Sequence, residues 1–160
     1  MNAAMSGLRR QLLRAGFTAS ALAAALVSGM LAPLRVLAGD WPKAAFDDTD
    51  VDAAMRDAGI VAPEATQDII LKAPEIAENG AQVPIEVQSN IADTRVIYLF
   101  VDKNPQPMAG SFEFLSGAQP FISTRIKMGE TSNLRVVALA GGKYYMVARE
   151  IKVTIGGCGT

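Results

Sequence analysis

The sequence predicts a mainly β protein, an antiparallel β-sandwich with one short helix ahead of it and a flexible arm at its C-terminus. Three observations point there. From Gln67 onward apolar residues recur with a period of two, as on strands that alternate between core and solvent. About seven such runs, separated by turn residues, fill roughly 90 residues, which is the density of an immunoglobulin-like sandwich. Pro63, Pro74 and Pro84 oppose helix across the stretch that leads into them. The Cys…Trp…Cys signature of immunoglobulin domains proper is missing, because the 160-residue chain has one cysteine and one tryptophan.

Residues 1–38 read as an export signal. They contain no Asp or Glu but carry Arg9, Arg10, Arg14 and Arg35. A basic start, Leu8-Arg9-Arg10-Gln11-Leu12-Leu13-Arg14, precedes a mildly apolar run from Ala15 to Leu31. Val36-Leu37-Ala38 then offers modest side chains at the −3 and −1 positions of a cleavage site. The paired arginines resemble the twin-arginine pattern of bacterial Tat signals. The competing reading is a retained membrane anchor, which the run's length of about 17 residues and Gly16, Gly29 and Pro33 weaken. No cysteine near the cleavage site supports a lipoprotein. The expected location is therefore periplasmic, with no membrane attachment after processing.

Cleavage after Ala38 removes four arginines and no acid. The remaining 122 residues then hold 11 basic against 16 acidic groups, a net charge of −5. That balance argues against nucleic acid and anionic lipid as partners. The expected organisation is a signal over 1–38, one domain over 39–155 and an arm over 156–160.

Within the domain, Val51 to Ala58 has good helix formers, and Val51, Ala54, Met55 and Ala58 share a face. Asp50 can cap its start and Gly59 can end it in a left-handed conformation. Strands follow at Asp68–Lys72, Val83–Gln88 and Arg95–Val101, around Phe112 and Phe114, and at Ile122–Met128, Leu134–Leu139 and Tyr144–Ile155. Arg95–Val101 is apolar on both faces, as a central strand requires. Ala140-Gly141-Gly142-Lys143 suits a hairpin turn. Trp41 is expected as a packing anchor, and Asp102-Lys103-Asn104-Pro105-Gln106-Pro107 as a rigid connection between the sheets. Asp47-Asp48 reads as a solvated segment, since no convergent partner makes it a metal or acid–base site.

Histidine is absent and Cys158 is the lone cysteine, so imidazole catalysis, intrachain disulfides and multi-thiolate metal sites are excluded. The last strand runs straight into Gly156-Gly157-Cys158-Gly159-Thr160. Glycines remove side-chain bulk around the thiol and leave the backbone free. At about 3.3 Å per extended residue the thiol can lie roughly 10 Å beyond Ile155. A thiol on a thin arm can enter an active site too deep for a folded surface, and a covalent link stops an intermediate from diffusing away. A free thiol ionises near pH 8.5, and no histidine can activate this one. Activation then falls to whatever encloses the tip. Two other classes stay open on the residues: a structural or adhesion-type sandwich with an incidental thiol, and a thiol oxidoreductase. The latter lacks a resolving cysteine.

The run Val153-Thr154-Ile155-Gly156-Gly157-Cys158-Gly159, with the twin-arginine signal ahead of it, resembles the SoxY family, the sulfur-carrier subunits of the periplasmic thiosulfate-oxidising Sox system. The family pattern ends Gly-Gly-Cys-Gly-Gly, whereas this chain ends in the wider, stiffer Thr160. The resemblance implies that Cys158 is the covalent attachment site for sulfur and that Gly156, Gly157 and Gly159 form the swinging arm. It implies no catalytic or metal site and no resident cofactor, only sulfur adducts on Cys158, so the chain is expected to be a carrier and not an enzyme. It implies a heterodimer with a SoxZ-like sandwich subunit. A SoxAX-like cytochrome would load thiosulfate, a SoxB-like hydrolase would release sulfate, and a SoxCD-like dehydrogenase, where present, would oxidise the remaining sulfur.

Overall fold

A computed structural model describes residues 42–154. Its elements, in order, are α1 (Lys43–Asp47), α2 (Val51–Asp57), β1 (Glu64–Ala65), β2 (Ile69–Lys72), β3 (Ile76–Ala77), β4 (Val83–Ser89), β5 (Thr94–Val101), β6 (Met108–Glu113), β7 (Phe121–Ile126), β8 (Ser132–Ala140) and β9 (Lys143–Val153). The larger sheet has the order β1-β9-β8-β5-β6, with β3 also on β9, and the smaller has the order β2-β4-β7. The seven principal strands coincide with the seven expected from period-two patterning, and their pairing is antiparallel.

Each strand is placed by its alternation. In β4, Val83, Ile85, Val87 and Ser89 point inward while Pro84, Glu86 and Gln88 point out. Ile97, Leu99 and Val101 of β5 meet Leu134, Val136 and Ala138 of β8 and the inward residues of β2, β4 and β7 in the core between the sheets. The other face of β5 is buried as well. Tyr98 and Phe100, their rings stacked at 6.4 Å, pack with Val137 under Ala45, Ala54 and Met55 of the helices. A strand apolar on both faces therefore sits between two cores, in a three-layer arrangement of helices, large sheet and small sheet.

α2 starts and stops where capping chemistry dictates. The Asp50 carboxylate accepts from the Ala53 N–H at 2.9 Å, and Gly59 ends the helix at φ +77°. The β8–β9 hairpin turns on Gly141 and Gly142, both at positive φ, the conformation that a two-residue turn with the strand twist needs.

Three features depart from the sequence expectation. A second helix, α1, precedes α2 and is held by its buried Ala45. β1 and β3 are two-residue segments that add parallel pairs to the outer edge of β9. Asp102–Pro107 joins β5 to β6, neighbours in one sheet, so it is not a connection between sheets. Trp41 and Ile155 lie outside the described residues.

Candidate functional site

Cys158, Gly156, Gly157 and Gly159 also lie outside the described residues. The structure describes the place from which they depart, the last turn of the β9 path at Val153 and Thr154. Ile151, fully buried and paired with Ser132, ties that end into the core. Beyond it, the N–H groups of Lys152 and Thr154 donate to the carbonyls of Glu75 and Ala77 at 2.9 and 3.1 Å. The Val153 N–H donates to the Thr131 hydroxyl at 3.0 Å, and the Thr154 hydroxyl donates to the Glu78 carbonyl at 3.5 Å. Three consecutive backbone donors are thus satisfied, from two sides, up to the last described residue. A strand end without neighbours frays; this one is clamped.

Three loops surround the clamp. The first, after β3, contributes Glu78 and the carbonyl of Gly80, which accepts from the Met128 N–H at 2.7 Å. The second is Asp102–Pro107. Three of its backbone donors are occupied: Asp102 on the Asn133 carbonyl, Lys103 on the Ser132 hydroxyl, Asn104 on the Val101 carbonyl. The third runs from Lys127 to Thr131. Asn104 sews the second loop to the third, donating to the Lys127 carbonyl at 2.7 Å and accepting from the Gly129 N–H at 3.0 Å. Behind them Arg135 bridges Asp102 at 2.7 Å and Asp52 of α2 at 3.4 Å, so the helical layer braces the same end.

The electrostatics are mild. Lys103 reaches Glu130 at 4.0 Å, both exposed. Lys127 and Lys152 are exposed and make no ion pair among the described residues. Among the described residues one buried group has a perturbed acidity, on β5. Burial, aided by Tyr144 and Glu113, pushes the Tyr98 phenol above its ordinary range. Among the described residues no group of three or more Asp, Glu, His or Cys could hold a metal. Asp47 is exposed and taken up by Lys43 at 2.6 Å, whereas one carboxylate oxygen of Asp48 is buried without a hydrogen-bond partner, so the pair is solvated only at Asp47. An open groove of about 800 Å³, lined by Lys72, Pro84, Glu86 and Arg125, lies on the small sheet and converges no reactive groups.

The arrangement can therefore hold the end of β9 in place. Patterning located the thiol. It did not locate Thr131, Glu78 or Asn104, whose partners are far along the chain; the Asn-Pro turn at 104–105 was the only local signal.

Residues 53–158 match the family model for sulfur oxidation protein SoxY, a span that includes Cys158. The chain is similar to the solved structure of the sulfur carrier protein SoxY from Chlorobium limicola f thiosulfatophilum. That match has 44% identity and a TM-score of 0.59, and covers 65% of this chain and 94% of that one. A superoxide reductase (neelaredoxin) from Ignicoccus hospitalis matches at 20% identity and a TM-score of 0.49, over 55% of this chain and 81% of that one. No curated protein matches the chain.

Proposed function

The chain belongs to the SoxY family of sulfur carriers, and from that premise we propose that it carries its cargo on Cys158 in a periplasmic thiosulfate-oxidising cycle. The observation that carries this reading is the family match, which runs without interruption into the chain's lone thiol.

The chemistry assigns this chain the passive role. In loading, the Cys158 sulfur bonds to the outer sulfur of thiosulfate. The thiol proton leaves, and two electrons pass to a cytochrome of SoxAX type. The product is a cysteine S-thiosulfonate. Hydrolysis by a SoxB-like enzyme adds water across the bond to the sulfonate sulfur and releases sulfate, leaving a persulfide on Cys158. A SoxCD-like dehydrogenase then oxidises that remaining sulfur where it is present. A SoxZ-like subunit completes the carrier. Thiosulfate is a small dianion with little for an enzyme to grip; attached to Cys158 it arrives with a protein surface. The clamped β9 end supports the role, because a fixed departure point limits where the thiol can be and so raises its effective concentration at a docked active site.

Twin-arginine export, with cleavage after Ala38, would bring the folded carrier to the periplasm. The test is intact mass after incubation with thiosulfate and the loading cytochrome. The wild type should gain one thiosulfate, reversibly on reduction, and Cys158→Ser should gain nothing. A Cys158→Ser protein that still acquires the adduct would overturn the assignment.

A further inference from the structure

We propose that Asn79 is a site of spontaneous deamidation, and that its isoaspartyl product loosens the grip of the loop after β3 on the end of β9 and on Met128. The inference concerns the body of the protein and does not depend on the carrier reading.

The chemistry is intramolecular. The backbone nitrogen of the following residue bonds to the side-chain carbonyl carbon of the asparagine. The bond from that carbon to the side-chain nitrogen breaks, and ammonia leaves with the backbone proton. Water then opens the cyclic imide. Attack at the former side-chain carbonyl gives aspartate. Attack at the main-chain carbonyl gives isoaspartate, whose chain runs through the β-carbon and is a methylene longer. No electrons change hands, and water is the sole co-reactant. The reaction needs a slim following residue, a backbone N–H not held by an acceptor, an unbound side-chain amide and access for water.

Asn79 meets all four conditions. It is exposed, and Gly80 after it has no Cβ to obstruct the approach. Among the described residues neither the Gly80 N–H nor the Asn79 side-chain nitrogen has an acceptor. The Asn79 side-chain oxygen accepts from the Ala81 N–H at 2.9 Å, which polarises the carbonyl that is to be attacked. The other described asparagines are each blocked. Asn104 precedes Pro105, which has no N–H, and its amide donates to the Lys127 carbonyl. Asn133 lies in β8 ahead of the fully buried Leu134, and its amide donates to Asp102. Asn90 precedes the β-branched Ile91, whose N–H donates to the Ser89 hydroxyl.

The neighbours of Asn79 give the reaction its consequence. The Ala77 and Glu78 carbonyls accept from the N–H and the hydroxyl of Thr154, and the Gly80 carbonyl accepts from the Met128 N–H at 2.7 Å. An extra methylene between Glu78 and Gly80 changes the spacing of these acceptors, so the bonds on the two sides of Asn79 cannot all keep their geometry. Aspartate at position 79 leaves the backbone path as it was.

The experiment stores the full chain at mildly alkaline pH and follows it by peptide mass and ion exchange. The peptide that contains Asn79 should gain the difference between an amide and an acid about tenfold faster than those containing Asn90, Asn104 or Asn133. A more acidic form of the protein should accumulate, and an isoaspartyl methyltransferase should label it at position 79. Asn79→Gln should yield no such form on the same timescale. In the isoaspartyl form the amides of Met128 and Thr154 should exchange with solvent faster than in fresh protein, whereas Asn79→Asp should keep their protection. Conversion at Asn79 no faster than at Asn90 overturns the proposal. So does an isoaspartyl form that protects Met128 and Thr154 as well as fresh protein does.

Discussion

Thr131 holds the end of β9 with a single oxygen. Its hydroxyl accepts from the Val153 N–H in a place where no strand neighbour supplies a carbonyl. Thr131→Val keeps the shape and removes the acceptor, which leaves a part-buried donor unpaired at a cost of about 1 kcal/mol. The Val153 amide should then exchange with solvent faster than in wild type, while Thr131→Ser should restore its protection; equal exchange in all three would show that the hydroxyl does not anchor the strand. Tyr98 offers a second residue-scale test, through pH. Burial raises its phenol above the ordinary value of 10, so the folded state holds the proton longer than the unfolded chain. Its contribution is fully present below pH 10 and is lost as pH climbs from there toward the folded value. Urea midpoints of the wild type should fall along that alkaline limb, and Tyr98→Phe should fall less steeply.

Elements show why some of this fold could be read in advance and some could not. α2 was legible because its signals are local: an acid at the cap, four apolar residues on one face and a glycine to finish. Asp50→Ala should remove the bond to Ala53 and cost about 1 kcal/mol, seen as a lower thermal midpoint with an unchanged spectrum of the folded protein. The principal strands were legible for a like reason, since burial on one or both faces imposes period two on the residues themselves. β1 and β3 carry no such imprint. Each is two residues long and is a strand only because β9 lies beside it. α1 has five residues and no side-chain cap, and it exists by burying Ala45 against its neighbours. The Asp102–Pro107 loop was read as a connection between the sheets, but two prolines do not reveal whether the next strand pairs with the last one or crosses over. At the site the same division holds. A thiol among glycines is written in consecutive letters, whereas the Thr131 anchor joins residues 22 positions apart.

At the scale of the whole molecule, the bonds that hold the sandwich together run as far as Thr154. Ile151 is the last residue of β9 that is fully buried in the core, and the bonds of Lys152, Val153 and Thr154 then close the large sheet on β3 and Thr131. Stability should therefore be complete at Thr154, and on the proposed carrier function the cargo lies beyond it. Truncation after Thr154 removes the proposed cargo site, Cys158, and none of these bonds; its thermal midpoint should match wild type, and loading should be abolished. Truncation after Lys152 additionally deletes the bonds made by Val153 and Thr154, three hydrogen bonds at about 1 kcal/mol each, and should lower the midpoint by several degrees. Comparing the two by calorimetry locates the boundary. An equal loss of stability in both truncations would mean that the last six residues help to hold the sandwich together, which would count against the proposal that they serve as a swinging arm.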